Sequence, residues 1–206
     1  YLVSARGNYP ELLRFIREVS PGYRELAMNL LMVIAEKDLQ DTPADVLLAH
    51  VKGDVSDLAN PYFTKYILNP RVQNELLTAY REPIREFIKE RGITDIVGLV
   101  WEIGKVKVVD SLYLAKVVTP PIGVIRAGVT DVLSRNVFFV AACRTMGIPA
   151  RLSPISGKPE YCQNEIWHTV NFMTEKVMPK GELMLRSEVL PELYDREVGK
   201  WSGADD

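Results

Sequence analysis

Residues 131–151 have the sequence DVLSRNVFFVAACRTMGIPAR, which carries the strongest structural signal in the chain. Apolar residues between Asp131 and Met146 leave few polar positions around the helical barrel, and this pattern predicts one buried helix. Gly147 suits the left-handed conformation that ends a helix, and Pro149 prevents the helix from continuing. The stretch therefore predicts a buried helix followed directly by an extended segment.

The chain before this stretch has the pattern of several helices. Apolar residues recur at helical spacing from Tyr9 to about Tyr113. Proline-marked start signals separate these helices, and one of them, Asn69-Pro70, predicts a helix over residues 72–80. Residues 1–116 are therefore predicted to form a helical region.

Turn signals are concentrated between this region and the buried helix. Residues 117–128 contain two prolines and two glycines, which predicts a turn-rich connection and a natural boundary. Short alternating or β-branched runs after the helix predict antiparallel strands over 151–155, 166–173 and 182–188. The sequence thus predicts an α+β chain whose core region, 117–206, packs with the helical region as one compact unit.

Composition excludes several functional classes. The 206 residues carry 25 Lys and Arg against 27 Asp and Glu, a net charge of −2 that offers nucleic acid no excess positive surface. The longest apolar runs are about seven residues, too short for a transmembrane segment. Two cysteines and two histidines predict no disulfide framework, no metal site and no cofactor. Because the chain begins at Tyr1 and not at Met, we expect it to be a processed product or an excised piece, with any export signal upstream.

The ending R-x-x-GIPAR of the predicted helix resembles the core helix and exit strand of the transglutaminase-like superfamily. Residues 165–170, EIWHTV, resemble the histidine strand of that family, and residues 181–186 resemble its aspartate strand. The resemblance covers residues 128 to about 186, and the helical part resembles the leader of large secreted bacterial proteins. It implies a papain-like core, with the helix packed on an antiparallel sheet, and a periplasmic, cell-surface or secreted location.

The resemblance also implies three catalytic positions, and all three are substituted here. Counting back from Gly147 places Val132 where the family has its cysteine nucleophile at the amino end of the helix. Aligning Trp167 places Glu165 at the histidine, and aligning residue 181 places Arg186 at the aspartate. We therefore predict no catalytic residue, and we expect Glu165 and Arg186 to form an ion pair across neighbouring strands.

The substituted positions define a predicted vestigial cleft. Asp131 and Ser134 are expected first to cap the helix, and with Val132 and Arg135 they are expected to line the mouth of that cleft. Trp167, Arg135 and Glu165 are the expected contacts for a peptide or glycan ligand. The sequence thus predicts a catalytically silent binding or scaffolding module, joined to further domains of a larger secreted protein.

An active enzyme remains the alternative at this point, as an active cysteine peptidase or amide transferase using Cys162 or Cys143 with His168. Cys143 is expected to be a buried core thiol, and Cys162 is expected in a loop where exposure is plausible. His168 follows Trp167, so their side chains are expected on opposite faces of a strand. A Cys143–Cys162 disulfide and a purely structural role stay open.

Overall fold

Helices make up most of the described chain. The computed structural model describes residues 3–52, 58–109 and 117–172. The helices are α1 (Tyr9–Glu18), α2 (Arg24–Val33), α3 (Glu36–Asp41), α4 (Ala44–Val51), α5 (Arg81–Glu90), α6 (Ile96–Gly104), α7 (Pro121–Ala127) and α8 (Val132–Thr145). Short 3-10 turns cover Arg6–Asn8 and Pro21–Tyr23, and a π-helical turn covers Thr64–Leu68. Tyr1–Phe172 forms one compact unit, and the remaining unit, Met173–Asp206, lies outside the described residues.

Among the described residues, five short strands form two small sheets. Strand β1 (Lys107–Val108) pairs in parallel with β2 (Val129–Thr130), and β3 (Ala150–Leu152), β4 (Pro159–Gln163) and β5 (Ile166–Thr169) form an antiparallel sheet in that order. The predicted α+β class is therefore confirmed. The strand expected over 182–188 lies outside the described residues.

Helix α8 is buried within the described unit, and its sequence predicts this burial. Every residue from Ser134 to Thr145 is buried, and the helix packs against α5, α6 and α7 on the helical side and against β3 and β4 on the sheet side. Its exit follows the expected geometry, since Gly147 has a φ of 78° and the Ile148 amide donates to the Cys143 carbonyl at 2.9 Å. The chain then enters β3 directly.

The predicted helix over residues 72–80 is wrong. This segment is an irregular loop because side chains take up its backbone amides. Buried Glu75 accepts hydrogen bonds from the amides of Val72 at 2.9 Å and Gln73 at 2.8 Å. Arg71 forms an ion pair with fully buried Asp38 of α3. These polar contacts hold the loop against α3 and replace the hydrogen bonds of a helix.

The predicted turn-rich connection over residues 117–128 is also wrong, because the segment contains α7. Pro121 occupies the first helical position, where a missing amide costs nothing, and Gly128 ends the helix with a φ of 65°. Within α7, a Cβ on Gly123 would lie 2.7 Å from Cγ2 of Thr119, so the glycine permits close packing. The same prolines and glycines that suggested turns are the start, end and contact signals of a helix.

Two hydrophobic clusters lie within the compact unit, and buried arginines connect them. One cluster contains residues between positions 5 and 68, and the other contains residues between 80 and 170, on both sides of residue 117. Arg81 donates to the carbonyls of Ile67, Leu68 and Arg144, and Arg144 donates to those of Asn69 and Ala150. These bonds tie the two clusters together.

Within the described part of the chain, no helix has the length and apolar character needed to cross a bilayer.

Candidate functional site

The amino-terminal end of α8 is a closed helix cap. Asp131 accepts a hydrogen bond from the Ser134 amide at 2.9 Å and another from the Ser134 hydroxyl. The same hydroxyl accepts from the Thr119 amide at 2.9 Å. Ser134 is fully buried, whereas Val132, at the first helical position, is 45% exposed. The hydroxyl is therefore committed to the cap, and the exposed side chain beside it has no nucleophile.

Arg135 is buried next to this cap and does not present its charge to solvent. Its guanidinium lies 4.7 Å from the centroid of the Phe172 ring, in a cation–π contact, and only 4% of the residue is exposed. Burial lowers the pKa of Arg135. This position suits packing more than the ligand contact expected from the sequence.

Glu165 lies in a hairpin turn and not on a strand. Asn164 and Glu165 join β4 to β5 and have φ values of 51° and 64°, the positive values of a type I′ turn. The side chain of Glu165 is exposed. Its expected partner, Arg186, lies outside the described residues, so the proposed ion pair stays a prediction.

The structure places Glu165 and Val132 towards opposite ends of α8. The Cys162 amide, three residues before Glu165, donates to the carbonyl of Pro149 at 2.8 Å, just beyond the carboxyl end of the helix. Phe172, beyond the far end of β5, packs on Phe139 near the middle of α8, with ring centroids 5.4 Å apart, and lies 4.7 Å from the guanidinium of Arg135 in the first turn of that helix. The 14 residues of α8 span about 21 Å. Glu165 is therefore not brought to Val132 and the other predicted cleft residues at the start of α8, and Arg186 lies outside the described residues.

The β4–β5 register separates Cys162 from His168. Cys162 lies opposite Trp167, and the neighbouring pair is Tyr161 opposite His168, with ring centroids 5.2 Å apart and nearly parallel. Side chains alternate between faces along a strand. Cys162 therefore shares a face with Trp167, and the imidazole of His168 is on the other face.

Both cysteines are free, buried thiols. Cys143 is fully buried in α8, as expected, and Cys162 is 7% exposed. The expected loop position of Cys162 is wrong, because the residue pairs within β4 with strands on both sides. Burial raises the pKa of the Cys162 thiol and raises that of Cys143 well above its usual value. Both thiols are held in their protonated, weakly nucleophilic form.

A cleft of about 420 Å³ opens beside the hairpin turn. Its walls are formed by Ala59, Asn60, Pro61, Tyr62, Pro149, Cys162, Asn164 and Glu165. The side-chain Oδ1 of Asn60 accepts from the Tyr62 backbone amide at 2.9 Å and fixes the turn, which leaves the side-chain Nδ2 of Asn60 as a donor. The cleft thus combines apolar walls with amide groups and one carboxylate.

Trp167 packs beside this cleft, on the same face of the hairpin as Cys162. Its ring contacts Tyr62 edge to face, with centroids 5.9 Å apart, and Tyr66 with centroids 5.0 Å apart. The Arg151 guanidinium lies 4.0 Å from the ring centroid and also forms an ion pair with Glu160 at 2.9 Å. Trp167 therefore positions Tyr62, and it is not among the residues that line this cleft.

Sequence reasoning missed three lining residues, Asn60, Tyr62 and Asn164. The Asn60-Pro61 pair is a turn signal, and an asparagine between two alternating runs is typical of a hairpin turn. These signals predict the two turns separately. Nothing local in the sequence indicates that the two turns face each other.

No protein family, curated protein or solved structure matches the chain. Among the residues at 3–52, 58–109 and 117–172, no cluster of three or more His, Cys, Asp or Glu is arranged to hold a metal ion. The function is therefore inferred from the geometry of the cleft and from the state of the candidate nucleophiles.

Proposed function

We propose that this chain is a catalytically silent binding module of a larger secreted protein, and that the cleft beside the β4–β5 turn holds a peptide or a glycan. The observation that carries the proposal is the separation of thiol and imidazole: Cys162 lines the cleft, but His168 projects from the other face of the hairpin. A thiol peptidase or amide transferase needs these groups within hydrogen-bond reach.

The other candidate nucleophiles and the second histidine also support a catalytically silent module. Cys143 is fully buried, and burial raises the pKa of its thiol well above the usual value. The Ser134 hydroxyl bonds to the carboxylate of Asp131, which in turn binds the Ser134 amide as a helix cap. His50 lies against Tyr80, with ring centroids 4.7 Å apart, and is almost fully buried. Each group thus has a structural role that accounts for its position.

The cleft has the character of a small recognition site. Ligand sites are mostly apolar concavities with a few fixed polar groups. Here Pro61, Pro149 and Tyr62 supply the apolar walls, and Asn164 and Glu165 supply polar side chains on a turn. Glu165 has an unfavourable positive φ, and strained residues are common at functional sites. We infer that Glu165 is the principal polar contact for the ligand.

One observation favours an active cysteine enzyme as the second candidate, namely that Cys162 lines a cleft large enough for a substrate side chain. A shift of one residue in the β4–β5 register would bring His168 to the face of Cys162. The type I′ turn at Asn164 and Glu165 opposes such a shift, because turn geometry fixes the register of a hairpin. The silent module is therefore the better supported candidate.

Binding is tested with a panel of immobilised peptides and a glycan array, probed with the fluorescently labelled chain. We expect retention on one of the two surfaces, and at least tenfold weaker binding of Glu165→Gln, which corresponds to about 1.4 kcal/mol. Glu86→Gln removes an equally exposed carboxylate on α5 and should bind like the wild type. Absence of retention on both surfaces, or equal binding of Glu165→Gln, would contradict the proposal.

A further inference from the structure

A second cavity, of about 20 Å³, lies where helices α4, α5 and α8 meet the π-helical turn. It is large enough for one water-sized particle. Five of its lining residues are basic, and they come from three separate segments: His50, Lys52, Arg81, Arg85 and Arg144. Among the described residues that line it, none carries a carboxylate. A cavity with this lining has an excess of positive charge on its walls.

The charge of Arg81 is not neutralised by its hydrogen bonds. Its guanidinium donates to the carbonyls of Ile67 at 2.6 Å, Leu68 at 3.1 Å and Arg144 at 3.1 Å. Carbonyl oxygens satisfy the donors but carry no net charge. Burial lowers the pKa of Arg81. The protein therefore maintains a cation in its interior without a carboxylate partner among the described residues.

Arg144 adds a second buried cation to the same cavity wall. It donates to the carbonyls of Asn69 at 2.7 Å, Arg71 at 2.8 Å and Ala150 at 3.0 Å. Burial lowers the pKa of Arg144 to about 10, and the carboxylate of buried Glu75 offsets only part of this effect. Two buried guanidiniums beside one small cavity favour an occupant with negative charge.

Two buried nitrogen atoms of the lining residues have no hydrogen-bond partner within the part of the chain that the structure describes. They are Nε of Arg81 and Nδ1 of His50, in residues that are 6% and 3% exposed. The Nε–H group of Arg81 is a donor, and a donor without an acceptor is costly in the interior. His50 Nε2 lies 2.9 Å from the Thr78 carbonyl, which can only accept, so Nε2 carries the proton and Nδ1 has the lone pair.

We propose that this cavity binds one small monoatomic anion of the halide class, with chloride as the ordinary occupant. The anion accepts from the Arg81 Nε–H group and offsets the charges of Arg81 and Arg144. In the anion-bound state Nδ1 of His50 also carries a proton and donates to the anion, because a lone pair on Nδ1 would be repelled by a negative charge. Lys52 is exposed and the Arg85 side chain is 36% exposed, so these two residues form a basic mouth through which the ion exchanges with solvent. A cavity of about 20 Å³ favours a single-atom occupant over a phosphate or carboxylate group. Water is the competing occupant, because a water molecule would satisfy both nitrogen atoms. It would, however, leave the positive charges of Arg81 and Arg144 without a counter-ion.

Thermal unfolding of the full chain in sodium chloride and in sodium gluconate, at equal ionic strength, separates the ion from general screening. We expect a saturable rise in melting temperature with chloride and none with gluconate, because gluconate is too large to enter. Arg85→Gln should raise the chloride concentration at the midpoint of this rise at least fivefold. Lys89→Gln removes a positive charge from the exposed face of the same helix and should leave the midpoint unchanged within twofold.

A crystal grown in sodium bromide identifies the occupant directly. We expect an anomalous bromide peak in the cavity beside Arg81. Density without anomalous signal would identify a water molecule and overturn the proposal. Equal melting temperatures in the two salts, or the same chloride midpoint in Arg85→Gln as in the wild type, would also overturn it.

Discussion

Cys162 and His168 project from opposite faces of one β-hairpin. Cys162 is paired with Trp167 across the strands, and His168 is stacked on Tyr161. Because alternation along a strand is fixed by its pleat, no rotamer change brings the thiol to the imidazole. The hairpin turn at Asn164 and Glu165 fixes this register. The hairpin therefore keeps the cleft thiol apart from the imidazole on the neighbouring strand.

The first prediction concerns thiol reactivity. Because burial raises the pKa of both thiols, alkylation by iodoacetamide in the folded protein should be slow at neutral pH, with a midpoint above about 8.5. His168→Ala should leave the rate unchanged, since the imidazole is on the other face. Mass spectrometry of the modified protein measures the rate at each cysteine. Rapid alkylation of Cys162 at about pH 6 would contradict the assignment.

Val132→Cys serves as the positive control for this experiment. It places a thiol at the first position of α8, where Val132 is 45% exposed and the free amides of the helix favour a thiolate. This thiol should react at lower pH than Cys162. Adding Glu165→His should not change its rate, because Glu165 lies towards the other end of α8.

Local signals explain which parts of the fold the sequence could predict. The sequence predicts a buried helix from the apolar pattern of residues 131–146, and a left-handed helix end from Gly147. Both signals are local to one helix, and both predictions agree with the structure. The prolines and glycines of residues 117–128 are compatible with two structures, because the same residue types are common in turns and at helix ends. Packing of α7 on α8 selects the helix, and that packing is not visible in the local sequence.

The cleft could not be predicted, because it depends on a contact between distant segments. Tyr62 meets Trp167 across more than 100 residues, and this contact places the turn at Asn60 beside the hairpin. Counting from Trp167 places Glu165 at the histidine position of a strand. Such a count contains no information on backbone conformation, and the positive φ values of Asn164 and Glu165 form a turn there. The residue types of these segments indicated turns and strands. That the segments lie side by side follows only from the packing of the whole fold.

The second prediction tests the left-handed end of α8. Gly147 has a φ of 78°, a conformation in which a β-branched side chain is strained. Gly147→Val should lower the free energy of unfolding by at least about 1 kcal/mol. Gly22→Ala is the control, because a Cβ at Gly22 meets no atom within 4 Å and its φ is not positive. Urea denaturation measures both, and an unchanged stability of Gly147→Val would contradict the cap.

The third prediction uses the strain at Glu165. With a φ of 64°, this residue occupies a position of the type I′ turn that glycine favours. Glu165→Gly should raise the free energy of unfolding by about 0.5–1 kcal/mol, although it removes a side chain from the cleft. Gln163→Gly, two residues earlier on β4, should be destabilising. A loss of stability in Glu165→Gly measured by thermal unfolding would show that the glutamate side chain supports the fold.

The fourth prediction is a dependence of stability on pH. Burial, followed by the charge of Arg81, lowers the pKa of His50 from 6.5 to about 3. The unfolded chain takes up this proton first, so the contribution of neutral His50 is complete above about pH 6.5 and is lost as the pH falls towards about 3. The slope is about 1.4 kcal/mol per pH unit.

His50→Gln removes this titration, and its stability should therefore fall less steeply than that of the wild type between pH 6 and pH 4, by up to about 1.4 kcal/mol per pH unit. Urea denaturation at a series of pH values in chloride-free buffer measures these slopes with the cavity anion absent. Parallel curves for His50→Gln and the wild type would show that His50 is not held neutral.

The central claim is that the chain binds without catalysing, and the most direct measurement is turnover of amide and ester substrates by the wild type. A mixture of peptide amides, glutamine-containing peptides with a primary amine, and nitrophenyl esters is incubated with wild type, Cys162→Ala and His168→Ala, and the products are quantified by mass spectrometry. The account predicts that all three proteins give the rate of the buffer blank. Turnover by the wild type that is lost in both Cys162→Ala and His168→Ala would contradict it and establish the cysteine enzyme in its place.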